Sequence, residues 1–378
     1  LIITSKFLKC LLISLLFSSI NNNCNDPVSA TSENSEEQSS ATAQQQQKNA
    51  DDTSSKAVHF GVMVAKTQGS ILPPSQQVKV AKALGVNYIR ARIDLSSWTG
   101  SNDAYDIYKD AGLKVLLNIN SGVPRSATGE PAPIPFPTDM AAYSKTLNSI
   151  LDKYKPEVVV IENEEDNPNY HSGDADNYIN ELKTGIQVAH SKGLKVTNGG
   201  ITYREVCLII YDDMLQHGKQ QEAKEFAQNV FPPALMMRLG NTSNPQIKRQ
   251  LEFGRKIFEA YKTLDLDYIN FHWYEPVKAR GANGINKNDT IVDTKIFEFV
   301  ANYIKTATGK QVMSNEFGVF NTSPTLVRGL LQAVYNANLG YAIFYSADGG
   351  EGRAVALQNV AGDLRENGAA FRDFVKEH

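Results

Sequence analysis

Val158-Val159-Val160-Ile161-Glu162-Asn163-Glu164-Glu165-Asp166 sets an unbroken apolar run directly against four carboxyl groups. The run, entered from Glu157, reads as a short strand over 157–161, with the acidic residues beginning where it ends. An unpaired charge in apolar surroundings costs several kcal/mol, so these carboxyls must pair with one another or face a cleft. A strand that delivers charged groups at its C-terminal end is how an α/β barrel builds its site.

The same alternation recurs on both sides. Strands are expected over His59–Val64, 87–93, 114–119, 194–198, 268–273, 311–314 and 341–345, with helices over 77–84, 104–111, 140–153, 176–192, 293–308 and 325–339. Several helices stop at a glycine (Gly85, Gly112, Gly193, Gly340) and feed an apolar strand, the mark of βα repetition and a parallel sheet. With 157–161 the strands number eight, which closes a (β/α)8 TIM barrel of the α/β class. A doubly wound open sheet is the rival, but no Gly-rich phosphate loop follows the first strand. Residues 204–265 hold more helix than one crossover needs and read as a helical insertion.

The N-terminus reads differently. Lys6 and Lys9 lead into the apolar run Cys10 to Ile20, shorter than the roughly 20 residues of a membrane span. Small residues at Val28-Ser29-Ala30 complete a signal-peptide pattern over 1–30. Residues 31–57, including Gln44-Gln45-Gln46-Gln47, have almost nothing apolar to bury and are expected to be a disordered polar linker. A single barrel domain then occupies 58–378. The chain is expected to be secreted, or held in the cell envelope or periplasm, with lipidation at Cys24 as the lesser alternative. Cleavage after Ala30 leaves Cys207 as the sole thiol, so a large packed core rather than disulfides carries the stability.

Composition narrows the partners. Hydrophobic residues at 42% and charged ones at 21% are ordinary for a globular protein. A net charge of -3 offers no basic field to draw nucleic acid or anionic lipid.

Polar side chains cluster at the strand ends. Strand two ends Arg90-Ala91-Arg92-Ile93-Asp94 and strand three Asn118-Ile119-Asn120. Strand six carries His272-Trp273-Tyr274-Glu275, strand seven Asn315-Glu316, and strand eight Tyr345-Ser346-Ala347-Asp348. Residues two apart share a strand face, so Glu162 is expected to point with Glu164, Arg90 with Arg92, and His272 with Tyr274. Each has a plainer reading: Glu164 in an ion-pair network with Glu162 and Arg92, His272 as a core histidine, Trp98 as a loop anchor rather than a sugar platform. His59, His171 and Asp174 do not make a metal set.

These motifs, in this order, resemble clan A retaining glycoside hydrolases. Asn163-Glu164 is similar to the clan's acid/base pair on strand four, and Ser314-Asn315-Glu316-Phe317-Gly318 to its nucleophile strand. Phe271-His272-Trp273-Tyr274 resembles the strand-six motif, Gly85 to Arg90 the strand-two signature, and Gly362-Asp363-Leu364-Arg365 the tail after strand eight. The resemblance implies hydrolysis of β-glycosidic bonds in an oligosaccharide or polysaccharide by double displacement. Glu316 would be the nucleophile and Glu164 the acid/base, with Arg90 and Tyr274 keeping Glu316 ionised. Asn163 would meet the sugar 2-hydroxyl, and His272 would assist the nucleophile and the sugar. Trp98, Asn120 and Tyr345 would line the substrate. The same resemblance calls for no metal or cofactor and fits a monomer.

Two departures stand out: Glu165-Asp166 follows the acid/base where many clan members have Pro, and Phe344 or Tyr345 replaces the strand-eight Trp. They leave open a catalytically silent carbohydrate-binding protein on the same barrel. A lyase or isomerase is disfavoured, because no strand-end Lys, metal set or phosphate site is present.

Overall fold

The computed structural model describes residues 58–122, 132–239, 244–275, 294–348 and 354–378. The expected signal peptide (1–30), the polar linker (31–57) and Cys24 lie outside the described residues.

Among the described residues eight parallel strands form the sheet: β1 (His59–Val64), β2 (Tyr88–Asp94), β3 (Lys114–Asn120), β4 (Val158–Ile161), β5 (Lys195–Asn198), β6 (Tyr268–Asn270, resuming as Trp273–Glu275), β7 (Gln311–Val319) and β8 (Tyr341–Ser346). Neighbours in sequence are neighbours in space. The last strand pairs with β7 and, residue for residue from His59↔Tyr341 to Val64↔Ser346, with β1. The sheet therefore closes into the expected (β/α)8 barrel and leaves no edge.

Eleven helices accompany the strands among the described residues: α1 (Pro74–Leu84), α2 (Asp103–Asp110), α3 (Met140–Lys153), α4 (Ala175–Ser191), α5 (Tyr203–Gln216), α6 (Gln220–Val230), α7 (Pro233–Leu239), α8 (Pro245–Thr263), α9 (Thr294–Thr308), α10 (Pro324–Asn336) and α11 (Glu366–Glu377). Four helices, α5 to α8, lie between β5 and β6, over the stretch expected to hold more helix than one crossover needs. The start of α1 follows from Pro74, whose fixed φ suits a first helical turn. Its end follows from Gly85, which takes φ 75° so that the chain can turn into β2.

All four residues of β4 are fully buried. Val158 and Val160 join Leu116, Met313 and Ile343 inside the barrel, while Ile161 packs outward against Gly185 of α4, where a Cβ would stand 2.8 Å from its Cδ1. Each such side chain contributes about 1.5–3 kcal/mol relative to exposure. At the N-terminal end Tyr88, Tyr268 and Tyr341 meet edge to face at 5.4–5.5 Å, with Lys114 and Lys195 over their rings. That aromatic floor fills one end of the barrel and leaves the other for chemistry.

Two strands are irregular where the chemistry falls. The strand expected over 268–273 breaks at Phe271-His272, where a single parallel bridge joins Phe271 to Ile201 and the His272 N–H donates to Ile201 O at 2.8 Å. On β7, which runs five residues beyond the expected end at Ser314, the register against β8 shifts between Ser314 and Phe317. Such bulges re-aim side chains, here those of His272 and Glu316.

Candidate active site

The site lies at the C-terminal ends of β2, β4, β6 and β7. Glu316 leaves the bulge of β7 with a side chain 14% exposed. Arg90 of β2 donates from Nη1 to Glu316 Oε2 at 2.5 Å, and Tyr274 of β6 donates its hydroxyl to Oε1. Burial alone would lift this carboxyl, but the charges of His272 and Arg90, with hydrogen bonds from Tyr274 and Arg90, overcome it and hold Glu316 at about 2.

Arg90 is itself aimed. Its Nε donates to Asn118 Oδ1 at 2.8 Å and its Nη2 to Asn163 Oδ1. With Asn163 Oδ1 committed to the guanidinium, the amide of this cavity-lining residue keeps Nδ2 as its donor.

Glu164 approaches from β4. His272 Nδ1 lies 3.1 Å from its Oε1, and Asn167 Nδ2 donates to Oε2 at 2.6 Å. One ligand-type atom from each of Glu164, His272 and Glu316 lies within 4.8 Å of the other two. The three could converge on a metal ion, but the Arg90 guanidinium already neutralises Glu316, and Asn315 Oδ1 holds His272 Nε2 at 2.8 Å. A cation drawing on Glu316 would have to compete with the Arg90 guanidinium.

Beneath the carboxyls runs a layer of fully buried asparagines, Asn118, Asn198, Asn270 and Asn315. Asn270 Nδ2 donates to Asn315 Oδ1 at 2.7 Å, Asn315 Nδ2 to Asn118 Oδ1 at 3.0 Å, and the Asn270 backbone N–H to Asn198 Oδ1 at 2.7 Å. Sequence reading marked Asn118 and Asn315 as strand-end polar residues but missed Asn198, Asn270 and the layer the four form. Its only signal is that each member lies near the C-terminal end of a barrel strand, where Asn also serves in turns.

The expectation that Glu162 and Glu164 share a face is corrected. The strand ends at Ile161, and both glutamates take left-handed backbone, φ 69° and 49°. Period-two alternation does not survive two such residues, each costing roughly 1–2 kcal/mol. Glu162 turns to the helix layer, where Ser121 N and Oγ donate to its Oε1 at 2.8 and 2.5 Å and Glu181 of α4 lies beside it. Its partner is not Arg92, which pairs with Asp94 at 2.5 Å.

The remaining expected residues divide. Asn120 and Tyr345 line a cavity of about 220 Å3 together with Arg90, Asn163 and Glu316. Phe344 is buried against Phe317 and Phe371, so Tyr345 is the aromatic residue that strand eight presents to the cleft. Trp98 is corrected to a loop anchor, because its ring meets Tyr154 edge to face at 6.0 Å and lines neither cavity described here. His272 is fully buried and touches Glu164 and Asn315 rather than Glu316, so its partner differs from the one expected. Gly200 makes room for it, since a Cβ there would stand 2.2 Å from His272 Nε2.

Fold and site together define a (β/α)8 barrel with two facing glutamates at its mouth. No protein-family model matches the chain, and no curated protein matches it. Solved structures share its fold. A variant of an endo-β-1,4-glucanase from Xanthomonas axonopodis pv. citri is 11% identical with a TM-score of 0.55, covering 85% of this chain and 100% of that one. A β-glucosidase from Pyrococcus furiosus is 12% identical with a TM-score of 0.51, covering 85% and 95%. A family 39 glycoside hydrolase from Bacteroides cellulosilyticus WH2 is 12% identical with a TM-score of 0.50, covering 84% of this chain and 63% of that one.

Proposed function

We propose that the protein is a retaining glycoside hydrolase that cleaves β-glycosidic bonds of an oligosaccharide or polysaccharide. The observation that carries this reading is the pairing of Glu164 with Glu316, a carboxyl oxygen of each within 4.8 Å of the other. Retention needs carboxyl groups about 5–5.5 Å apart, whereas inversion needs about 6.5–9.5 Å to admit a water.

Glu316, held ionised, attacks the anomeric carbon and forms a glycosyl ester as the leaving oxygen departs. Glu164 gives that oxygen its proton. In the second half Glu164 takes a proton from water, the hydroxide attacks the same carbon, and the Glu316 carboxylate leaves. Arg90 and Tyr274 hold the nucleophile in place, and Asn163 Nδ2 is positioned to meet a sugar hydroxyl, where developing charge rewards a fixed donor. The named activities of the solved neighbours, an endo-glucanase and a β-glucosidase, point the same way.

The departure after the acid/base does not count against catalysis. Glu165 turns out of the cleft, accepting from Asn198 Nδ2 at 2.8 Å and from the Tyr261 hydroxyl. The test is Glu164→Gln and Glu316→Gln, assayed on a glycan the parent cleaves, with NMR of the first-formed anomer. Undiminished turnover in either variant, or an inverted product, overturns the reading.

A further inference from the structure

Asn167-Pro168-Asn169-Tyr170 follows closely on Glu164, and its composition fixes the first of these residues. Pro suits the second position of a β-turn and Asn the first, where its side chain can also accept from the backbone two residues on. Both bonds form: Tyr170 N–H donates to Asn167 O at 2.9 Å, and Asn169 N–H donates to Asn167 Oδ1 at 3.0 Å. His171 N–H adds a second bond to the same carbonyl at 3.0 Å, and Asn167 N–H donates back to Glu164 O at 2.8 Å. The loop needs such bracing because two cavities adjoin it. Tyr170 and His171 line the one that Glu316 also lines, while Asp166, Pro168 and His171 line a second of about 550 Å3.

With Oδ1 committed to Asn169, the network orients the Asn167 amide, and its Nδ2 meets Glu164 Oε2 at 2.6 Å. The two oxygens of Glu164 therefore have unlike partners. At Oε1 stands His272 Nδ1, 3.1 Å away, a ring nitrogen that can give a proton or take one. At Oε2 stands an amide nitrogen, which only donates. A proton on Oε1 can be withheld by the imidazole, whereas a proton on Oε2 cannot pass to Asn167. Glu316 of β7 and Asp166 of the same loop are also near Glu164, and neither is bonded to it.

We infer that Asn167 is a positioning residue for the acid/base: it pins Glu164 Oε2 and keeps that oxygen as the one that serves the leaving group. This rests on the glycosidase reading above. In the first half-reaction the Oε2 proton goes to the glycosidic oxygen as its bond to the anomeric carbon breaks. In the second, a proton from water returns to Oε2. Between the two, Asn167 donates to the carboxylate, and a donor to the ionised form favours that form. The amide thus readies Glu164 for the return step.

The test compares Asn167→Ala and Asn167→Asp with the parent, on a glycan and on an aryl glycoside with an acidic phenol. Aspartate keeps the acceptor that Asn169 uses but sets an oxygen against Glu164 Oε2, so it preserves the turn and reverses the contact. Loss of the donor is expected to lower kcat/KM on the glycan by about tenfold or more, and on the aryl glycoside by about threefold at most. The basic limb of the glycan profile, which reports the acid of the free enzyme, is expected to move up by about one pH unit in Asn167→Ala and further in Asn167→Asp. Equal losses on both substrates, or a basic limb that stays where the parent has it, overturns the inference and leaves Asn167 as a loop support. Should Asn167→Ala not fold, Asn167→Asp decides by the same two readouts. If the parent cleaves glycans and needs both Glu164 and Glu316 while the Asn167 variants behave like it, only this inference falls. If the parent cleaves no β-glycoside, the reading beneath it falls as well.

Discussion

His272 stands between Asn315 and Glu164, with Nε2 2.8 Å from the amide oxygen and Nδ1 3.1 Å from the carboxyl. Asn315 Oδ1 also accepts from Asn270 Nδ2, so it is an acceptor and His272 Nε2 carries hydrogen; this tautomer is assigned from the network. One proton is then shared between Nδ1 and Glu164, whichever of the two holds it. The imidazole sets the orientation of the carboxyl to which the proposed mechanism gives the acid/base role.

Replacing His272 with Asn is expected to cost about 10²-fold or more in kcat on glycans, whose leaving alcohols need protonation. It should cost far less on aryl glycosides with acidic phenol leaving groups. A kinetic comparison of the two substrate types checks this, and equal losses on both would assign His272 a purely structural role.

Arg90→Met removes one of the two cations that hold Glu316 at about 2. With Arg90 present, the acid limb of kcat/KM is expected well below the ordinary Glu range near 4.3. The variant should move that limb upward and lower kcat by about 10²–10³-fold, the usual loss for one charge-stabilising donor. A pH–rate profile of both proteins decides, and an unmoved limb refutes the assignment.

Burial first, then the neighbouring Glu162, raises the Glu181 carboxyl well above its usual value. A raised acid contributes stability that is present below the unfolded-state pKa and lost as pH rises through the folded one. Glu181→Gln has no such proton to lose. Its melting temperature relative to the parent is therefore expected to improve from pH 5 to pH 8, and a flat difference across that range would count against a buried, protonated Glu181.

Trp98→Ala is expected to leave KM for glycans unchanged and to cost about 1–2 kcal/mol of stability through its lost packing on Tyr154. Thermal melts and steady-state kinetics on one preparation separate the outcomes; a several-fold rise in KM with unchanged stability would restore the sugar-platform reading.

The barrel was legible from its βα alternation and Glu164 from the abrupt passage of β4 from apolar residues to carboxyls, whereas Glu316, behind Ser314-Asn315 on β7, stood out only by resemblance. The direction of Glu162 was not legible, since left-handed backbone at Glu162 and Glu164 depends on tertiary bonds such as Ser121 to Glu162. The partner of His272 was hidden by the break in β6, which the pattern Tyr268 to Trp273 does not announce. The asparagine layer was missed because single asparagines at strand ends look like turn residues. Helix α11 was not among the expected helices, although Phe371 and Phe374, three apart on one buried face, carry its signal.

The pairing of β1 with β8 along all six residues has a consequence for biosynthesis. Ribosomes add about 5–20 residues per second, and β8 is made after the other seven strands of the barrel. Until it arrives, β1 exposes a full ladder of unpaired N–H and C=O groups, a ready template for pairing with another chain. A truncation anywhere before Tyr341 should therefore yield a chain that aggregates rather than a smaller barrel, and a chaperone that shields nascent β1 would raise the yield of intact protein.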